Sequence, residues 1–160
     1  MPVFASENVL YKGNALALSR EVAPKVDKHY SGYVYVVKMS ARLVKIGRSA
    51  DPVERMKSIN RSVAGAPNLS PRMLYLSPAC FNYKEVEACL LSDFAQYQTA
   101  GEYFNVPVSV VVSALNDFEL AIGRTPEEQR QFDLDRKQAT QDIYGLFNAL
   151  SGRKVVPPEV

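Results

Sequence analysis

Four side chains in this 160-residue chain are of types that could do chemistry: the Tyr35 phenol, the Lys45 ammonium, the Arg55 guanidinium and the Glu87 carboxylate. The first three follow one another at steps of ten residues. Arg55 lies on the flank of an apolar helical stripe formed by Pro52, Met56, Ile59 and Val63, which predicts a permanently charged guanidinium at the rim of a sheet, well placed to grip a phosphate. Glu87 falls inside the apolar sector of a second helix, whose face is Tyr83, Val86, Leu90, Phe94 and Tyr97. A carboxylate turned toward a core needs a cation or several donors, because an unpaired buried charge costs several kcal/mol. It is therefore either half of a framework salt bridge or a metal ligand at the edge of a cleft.

The elements that must hold these groups can be read from the local pattern. Residues 32–39 are β-branched and aromatic on both alternations, which predicts a strand covered on both faces. After a short Ser40-Ala41-Arg42 connection, residues 43–47 form the returning strand of an antiparallel hairpin. If Met39 and Leu43 flank the loop, Tyr35 faces Gly47 and Val37 faces Lys45, so Tyr35 and Lys45 become diagonal neighbours on one face. A slip of one residue would separate them. The plain alternative is that Tyr33 and Tyr35 are core aromatics and Lys45 snorkels.

Asp51-Pro52-Val53-Glu54 predicts a helix start through an acidic cap, a first-turn proline and a glutamate three residues after the cap. Met73-Leu74-Tyr75-Leu76 reads as a third strand, and Asn82-Tyr83-Lys84-Glu85 repeats the capping pattern ahead of a helix running to Gln98. Gly101 breaks the pattern, residues 103–106 read as a short last strand, and Val108, Val111, Val112, Leu115, Phe118 and Ile122 predict a third amphipathic helix. Glu102 is a second polar contributor or a solvated strand end. The organisation expected is an arm over 1–30, a domain over 31–123, and a helical appendage with a frayed tail over 124–160. The fold class is α/β in the α+β sense, a small, mainly antiparallel three-stranded sheet flanked by helices.

Composition removes several classes of function. With 47% apolar and 22% charged residues the chain is neither disordered nor built to span a membrane. Cys80 and Cys89 form no disulfide framework and no zinc motif, and read as reduced, half-buried thiols in a cytoplasmic protein. His29 is the only histidine, and no glycine-rich phosphate loop occurs. The formal charge is only +2, yet residues 38–72 carry eight Lys or Arg, among them Arg48, Lys57, Arg61 and Arg72, against Asp51 and Glu54. That is the local footprint of a polyanion partner.

Tyr33-Val34-Tyr35, Lys45-Ile46-Gly47, Arg55 and Glu87 resemble, in order and interval, the motifs of the GIY-YIG nuclease superfamily. The branch most similar is that of bacteriophage and meiotically up-regulated proteins, where the second tripeptide reads KIG and a Gly-Glu-aromatic-Phe segment, here residues 101–104, closes the domain. The resemblance covers residues 31–106. It implies a metal-dependent endonuclease acting on DNA rather than RNA. Tyr35 would orient or activate the attacking water, Arg55 would stabilise the attacked phosphate, and Glu87 would hold one Mg2+ or another divalent cation such as Mn2+. Arg48 and Tyr33 would join Lys57, Arg61 and Arg72 on the nucleic acid. Lys45 departs from the tyrosine of better-known members: a lysine donates to the phosphate, or serves as a base only where burial and neighbouring cations strip its proton. The alternatives are a catalytically inactive binding module for nucleic acid or protein, and a phage or mobile-element accessory protein that pairs with a second copy or a partner through its 125–150 helix. The setting implied is the cytoplasm of a bacterial or phage-infected cell, or its nucleoid.

Overall fold

The computed structural model describes residues 3–4, 8–122, 130–131, 134–135 and 137–143. The chain divides into two units, residues 3–123 and the terminal stretches 1–2 and 124–160. The described parts of the second unit are helical, with Gln131 bonded to Asp135 and Gln138 to Asp142 one turn on, both at 2.9 Å. Of the apolar positions that recur along the expected 125–150 helix, Ala139 and Ile143 lie on described helix, and Leu146 and Leu150 lie outside the described residues.

The first unit is α+β. In chain order its elements are β1 (Val3–Phe4), β2 (Tyr11–Asn14), β3 (Tyr33–Lys38), β4 (Leu43–Ser49), α1 (Pro52–Ser62), β5 (Met73–Leu76), α2 (Tyr83–Asp93), β6 (Gln98–Ala100), β7 (Tyr103–Asn105), α3 (Val108–Asn116) and β8 (Ala121–Ile122). The main sheet is antiparallel, in the order β2-β5-β3-β4-β7-β6, and β1 pairs with β8 in a separate ribbon. It therefore has six strands instead of three. The expected β3, β4 and β5 form its centre. β7 is the short last strand expected over residues 103–106, and the additions lie at the edges: β2 comes from the stretch ahead of residue 31, and β6 makes a hairpin with β7 on the far side of β4.

The β3–β4 register is the one the loop predicts, with Tyr35 opposite Gly47 and Val37 opposite Lys45. Alternation then divides the core. Tyr33, Tyr35 and Val37 pack with Val53, Met56 and Ile59 of α1 on one face. Val34, Val36, Val44 and Ile46 pack with Val86 and Leu90 of α2 and Val111 and Leu115 of α3 on the other. All five residues from Tyr33 to Val37 are buried, as a doubly covered strand requires.

Several boundaries differ from those expected. α2 ends at Asp93, and residues 95–97 make a 3-10 turn into β6. α3 ends at Asn116, where the side chain of buried Asn8 donates to the carbonyls of Leu115 and Phe118 at 2.7 and 2.6 Å, satisfying groups a helix end leaves open. Phe118 and Ile122, which continue the apolar period, pack against the same core from beyond the helix, Ile122 from β8. Asn82 does not cap α2; its side chain donates to the Glu119 carbonyl and accepts from the Ala121 amide, tying the helix start to β8. Cys80 is buried and Cys89 exposed, so neither thiol is half-buried, and both are free. Burial pushes the Cys80 thiol up to about 12, which leaves it inert.

Candidate active site

The pairing of β4 with β7 stops at Lys45 opposite Tyr103, one further bond running from the Ile46 amide to the Glu102 carbonyl at 3.1 Å. Gly47, Arg48 and Ser49 thus form a strand end with no paired strand outside it among the described residues. Groups from both sheet faces gather there. On the α1 side, the Tyr35 ring lies directly on Gly47, and a Cβ at that position would collide with its phenol. Glycine is required by close approach, not by backbone conformation.

Arg55, in the second turn of α1, donates from Nε to the Tyr35 hydroxyl at 3.2 Å. Burial pushes the Tyr35 phenol up to about 12, with Glu102 and Glu87 adding to the rise and Arg55 opposing it. Tyr35 is therefore a neutral phenol at physiological pH, accepting from Arg55 with its own proton left to give. Tyr35 and Glu102 in turn raise Arg55, which remains a full cation. Beside Arg55 a shallow groove of about 270 Å3 runs along α1 past Ser49 and Ser58.

Lys45, on the same face as Tyr35, is 3.1 Å from Oε2 of Glu102 and 4.7 Å from the Tyr103 ring centroid. Both partners come from the β6–β7 turn, where Gly101 takes a positive φ of 53°. On the α2 side, Arg48 sits over the Tyr83 ring at 6.0 Å, and the Tyr83 hydroxyl donates to the Lys28 carbonyl.

One turn along from Tyr83, Glu87 is 7% exposed. Among the described residues it has no hydrogen-bond or ion-pair partner, yet it lies in the field of the whole group. Burial raises its carboxyl, Arg48 opposes this most, Glu102 adds to it, and Arg55 and Lys45 oppose it. The framework salt bridge that would have explained a buried acid is not formed among the described residues. An orphaned buried carboxylate flanked by three cations can take a divalent ion or share a proton.

The other expected contacts disperse. Tyr33 is 2% exposed and its hydroxyl donates to the Pro24 carbonyl at 2.8 Å, so it packs as a core aromatic away from the other groups. Arg61 pairs with Glu54 at 2.9 Å on the exposed side of α1, and Lys57 is exposed on the same helix. Arg72 is at the opposite end of the sheet, ahead of β5. The residue-type signals missed Tyr103, which holds Lys45 through its ring, and Tyr83, which supports Arg48. Tyr103 is the aromatic of the closing 101–104 segment and Tyr83 belongs to the apolar face of α2, but neither position signals a ring that carries a cation.

A six-stranded antiparallel sheet whose open strand end gathers two acids, three cations and a phenol defines an α+β domain with a charged edge. The chain belongs to the T5orf172 domain family, whose model matches residues 32–119, more than half its length. This domain occurs in phage and mobile-element proteins and has nuclease-like members, which points to a nucleic-acid-related role. No curated protein and no solved structure is similar to the chain. No helix among the described residues is long and apolar enough to cross a membrane.

Proposed function

We propose that this domain is a divalent-metal-dependent endonuclease of the GIY-YIG type, hydrolysing phosphodiester bonds of DNA at the open end of β4. The observation that supports the reading is Glu87: a buried carboxylate with no partner among the described residues, within the electrostatic reach of Arg48, Arg55 and Lys45. Such a carboxylate fits Mg2+ or Mn2+. Among the described residues no three metal-ligating side chains cluster, so water would complete the shell, as suits magnesium's preference for octahedral oxygen ligands. When bound, the ion supplies a Lewis acid and a compensating charge for the leaving oxygen.

The chain's own residues supply positioning and charge, which account for most phosphoryl-transfer catalysis. Arg55 holds the phosphate as negative charge accumulates on its oxygens. Tyr35, neutral and fixed by Arg55, orients the attacking water. Lys45, held between Glu102 and Tyr103, gives a donor to a phosphate oxygen, and Arg48 grips the neighbouring phosphate. The two free cysteines suit a reducing compartment such as the bacterial cytoplasm.

The test is a supercoiled plasmid incubated with magnesium. Wild type should nick or linearise it, and Glu87→Ala should be slower by at least about 100-fold, the scale on which single electrostatic groups contribute. One observation favours a second reading, a non-catalytic nucleic-acid-binding module: Lys45 is already ion-paired with Glu102 at the position where better-known members carry tyrosine. Equal inertness of wild type and Glu87→Ala, with DNA still bound, would select it.

A further inference from the structure

At the other end of the sheet, on the face that α2 and α3 pack against, lies a pocket of about 540 Å3 that shares no residue with the Glu87 site. Its construction follows from register. Asn14 of β2 stands opposite Met73 of β5, and the β5–β3 pairing brings Lys38 of β3 alongside Met73 one step past Val37–Leu74. The ladder extends beyond the strands through the Ala15 amide to the Arg72 carbonyl at 2.7 Å and the Arg72 amide to the Lys38 carbonyl at 2.9 Å. The floor is therefore rigid, hydrogen-bonded sheet rather than loop.

Leu16, Pro71 and Met73 give the pocket an apolar surface, and Leu16 and Met73 are 48% and 36% exposed. Lys38 and Arg72 line it as cations, and no carboxylate does. Among the described residues neither cation is ion-paired; Arg72 only donates to the Asn68 carbonyl. One residue up the same face, Lys12 lies over the partly buried Tyr75 ring at 5.5 Å, which continues the pairing of cation with flat apolar surface. A cavity of this size holds a molecule as large as one nucleotide. An acid-free apolar shelf edged by two cations matches a base on its flat side and a phosphate on its rim.

We infer that the Lys38–Arg72 pocket binds one nucleotide unit of a single-stranded nucleic acid, its base on Leu16, Pro71 and Met73 and its phosphate between the two cations. This rests on the nucleic-acid reading of the domain but not on cleavage. A duplex would keep its bases stacked and present only phosphates here, so the pocket favours an unpaired segment, such as a strand end or a branch, held at the opposite end of the sheet from the Glu87 site.

The experiment is a fluorescence-anisotropy titration of the full chain, without divalent metal, using a labelled eight-nucleotide oligothymidylate and, as competitor, free thymidine monophosphate. Wild type should bind the oligonucleotide, and Lys38→Ala with Arg72→Ala should weaken it at least tenfold with an unchanged thermal midpoint. Met73→Ala, which leaves both charges, should weaken it by a smaller factor through lost base contact. Equal affinity of the double variant and wild type overturns the proposal. A free mononucleotide binding as tightly as the oligonucleotide overturns the assignment to a strand. Because no cleavage is read, plasmid that stays intact in the nicking assay leaves this result interpretable.

Discussion

Glu87 combines two properties that stability alone does not favour: it is buried in the apolar sector of α2, and among the described residues no donor meets it. Its carboxyl is raised chiefly by burial. A raised folded-state value means that the fold favours the protonated acid, so stability is fully present at low pH and falls as pH climbs through that value. At neutral pH the ionised group is a cost. Glu87→Gln, a neutral mimic of the protonated acid, should raise the thermal midpoint of the metal-free protein at pH 7 by roughly 2–4 °C, with the gain disappearing at pH 4. Magnesium should raise the wild-type midpoint and leave that of Glu87→Gln unmoved. Scanning calorimetry at both pH values, with and without the ion, checks all three; a variant less stable than wild type at pH 7 would mean that the carboxylate is well satisfied in the fold.

Among the elements, α1 shows how closely local signals can be followed and where they stop. Asp51 caps it as its position predicts, accepting from the Glu54 amide at 3.4 Å, but Glu54 does not reach back to complete a capping box. It pairs with Arg61, the Asp51 amide donates to Ser49 Oγ, and Arg20 reaches Asp51 from thirty-one residues away. Burial pushes the Asp51 carboxyl up, yet Arg20 and the Glu54 amide together hold it below its ordinary value. Its contribution is therefore present above the unfolded carboxylate range and lost as pH falls through it. Asp51→Ala should cost about 1 kcal/mol at pH 7, and the cost should shrink as pH falls and the lowered carboxyl takes its proton; urea unfolding of both proteins from neutral to acid pH measures it. The same contrast governs legibility. The β3–β4 register could be read because a short loop and two buried faces leave one alignment, and with it came the Tyr35–Gly47 and Val37–Lys45 pairings. β2 and β6 could not: Tyr-Lys-Gly-Asn and Gln-Thr-Ala carry no buried face of their own and are strands only because β5 and β7 offer an edge. α3 was over-extended because Phe118 and Ile122 fall on the helical period while packing against the core from beyond the helix end. Glu87 could be placed from its helix, whereas Tyr83 and Tyr103 act through ring faces that spacing does not encode.

For the whole molecule, the formal +2 hides how charge is distributed after folding. Of the eight basic residues between 38 and 72, Lys45 and Arg61 are neutralised by Glu102 and Glu54. The other six, Lys38, Arg42, Arg48, Arg55, Lys57 and Arg72, have no carboxylate within ion-pair distance among the described residues. They are not one patch: Arg48 and Arg55 belong to the open end of β4, whereas Lys38 and Arg72 line the pocket at the opposite end of the sheet. A polyanion engaging the domain through both groups would release counterions from several phosphates at once. Each phosphate neutralised contributes about −0.7 to −0.9 to the slope of log K against log salt. Binding of a substrate with both duplex and single-stranded parts should therefore show a slope of roughly −3 to −5, while Lys38→Ala with Arg72→Ala, which releases the one phosphate held between them, should make it shallower by about 0.7. Anisotropy titrations between 50 and about 300 mM potassium chloride, spanning the range in which such binding weakens most, measure both. A slope near zero would mean that the cations face solvent without a polyanion, and the nucleic-acid role would then have to rest on something other than this surface.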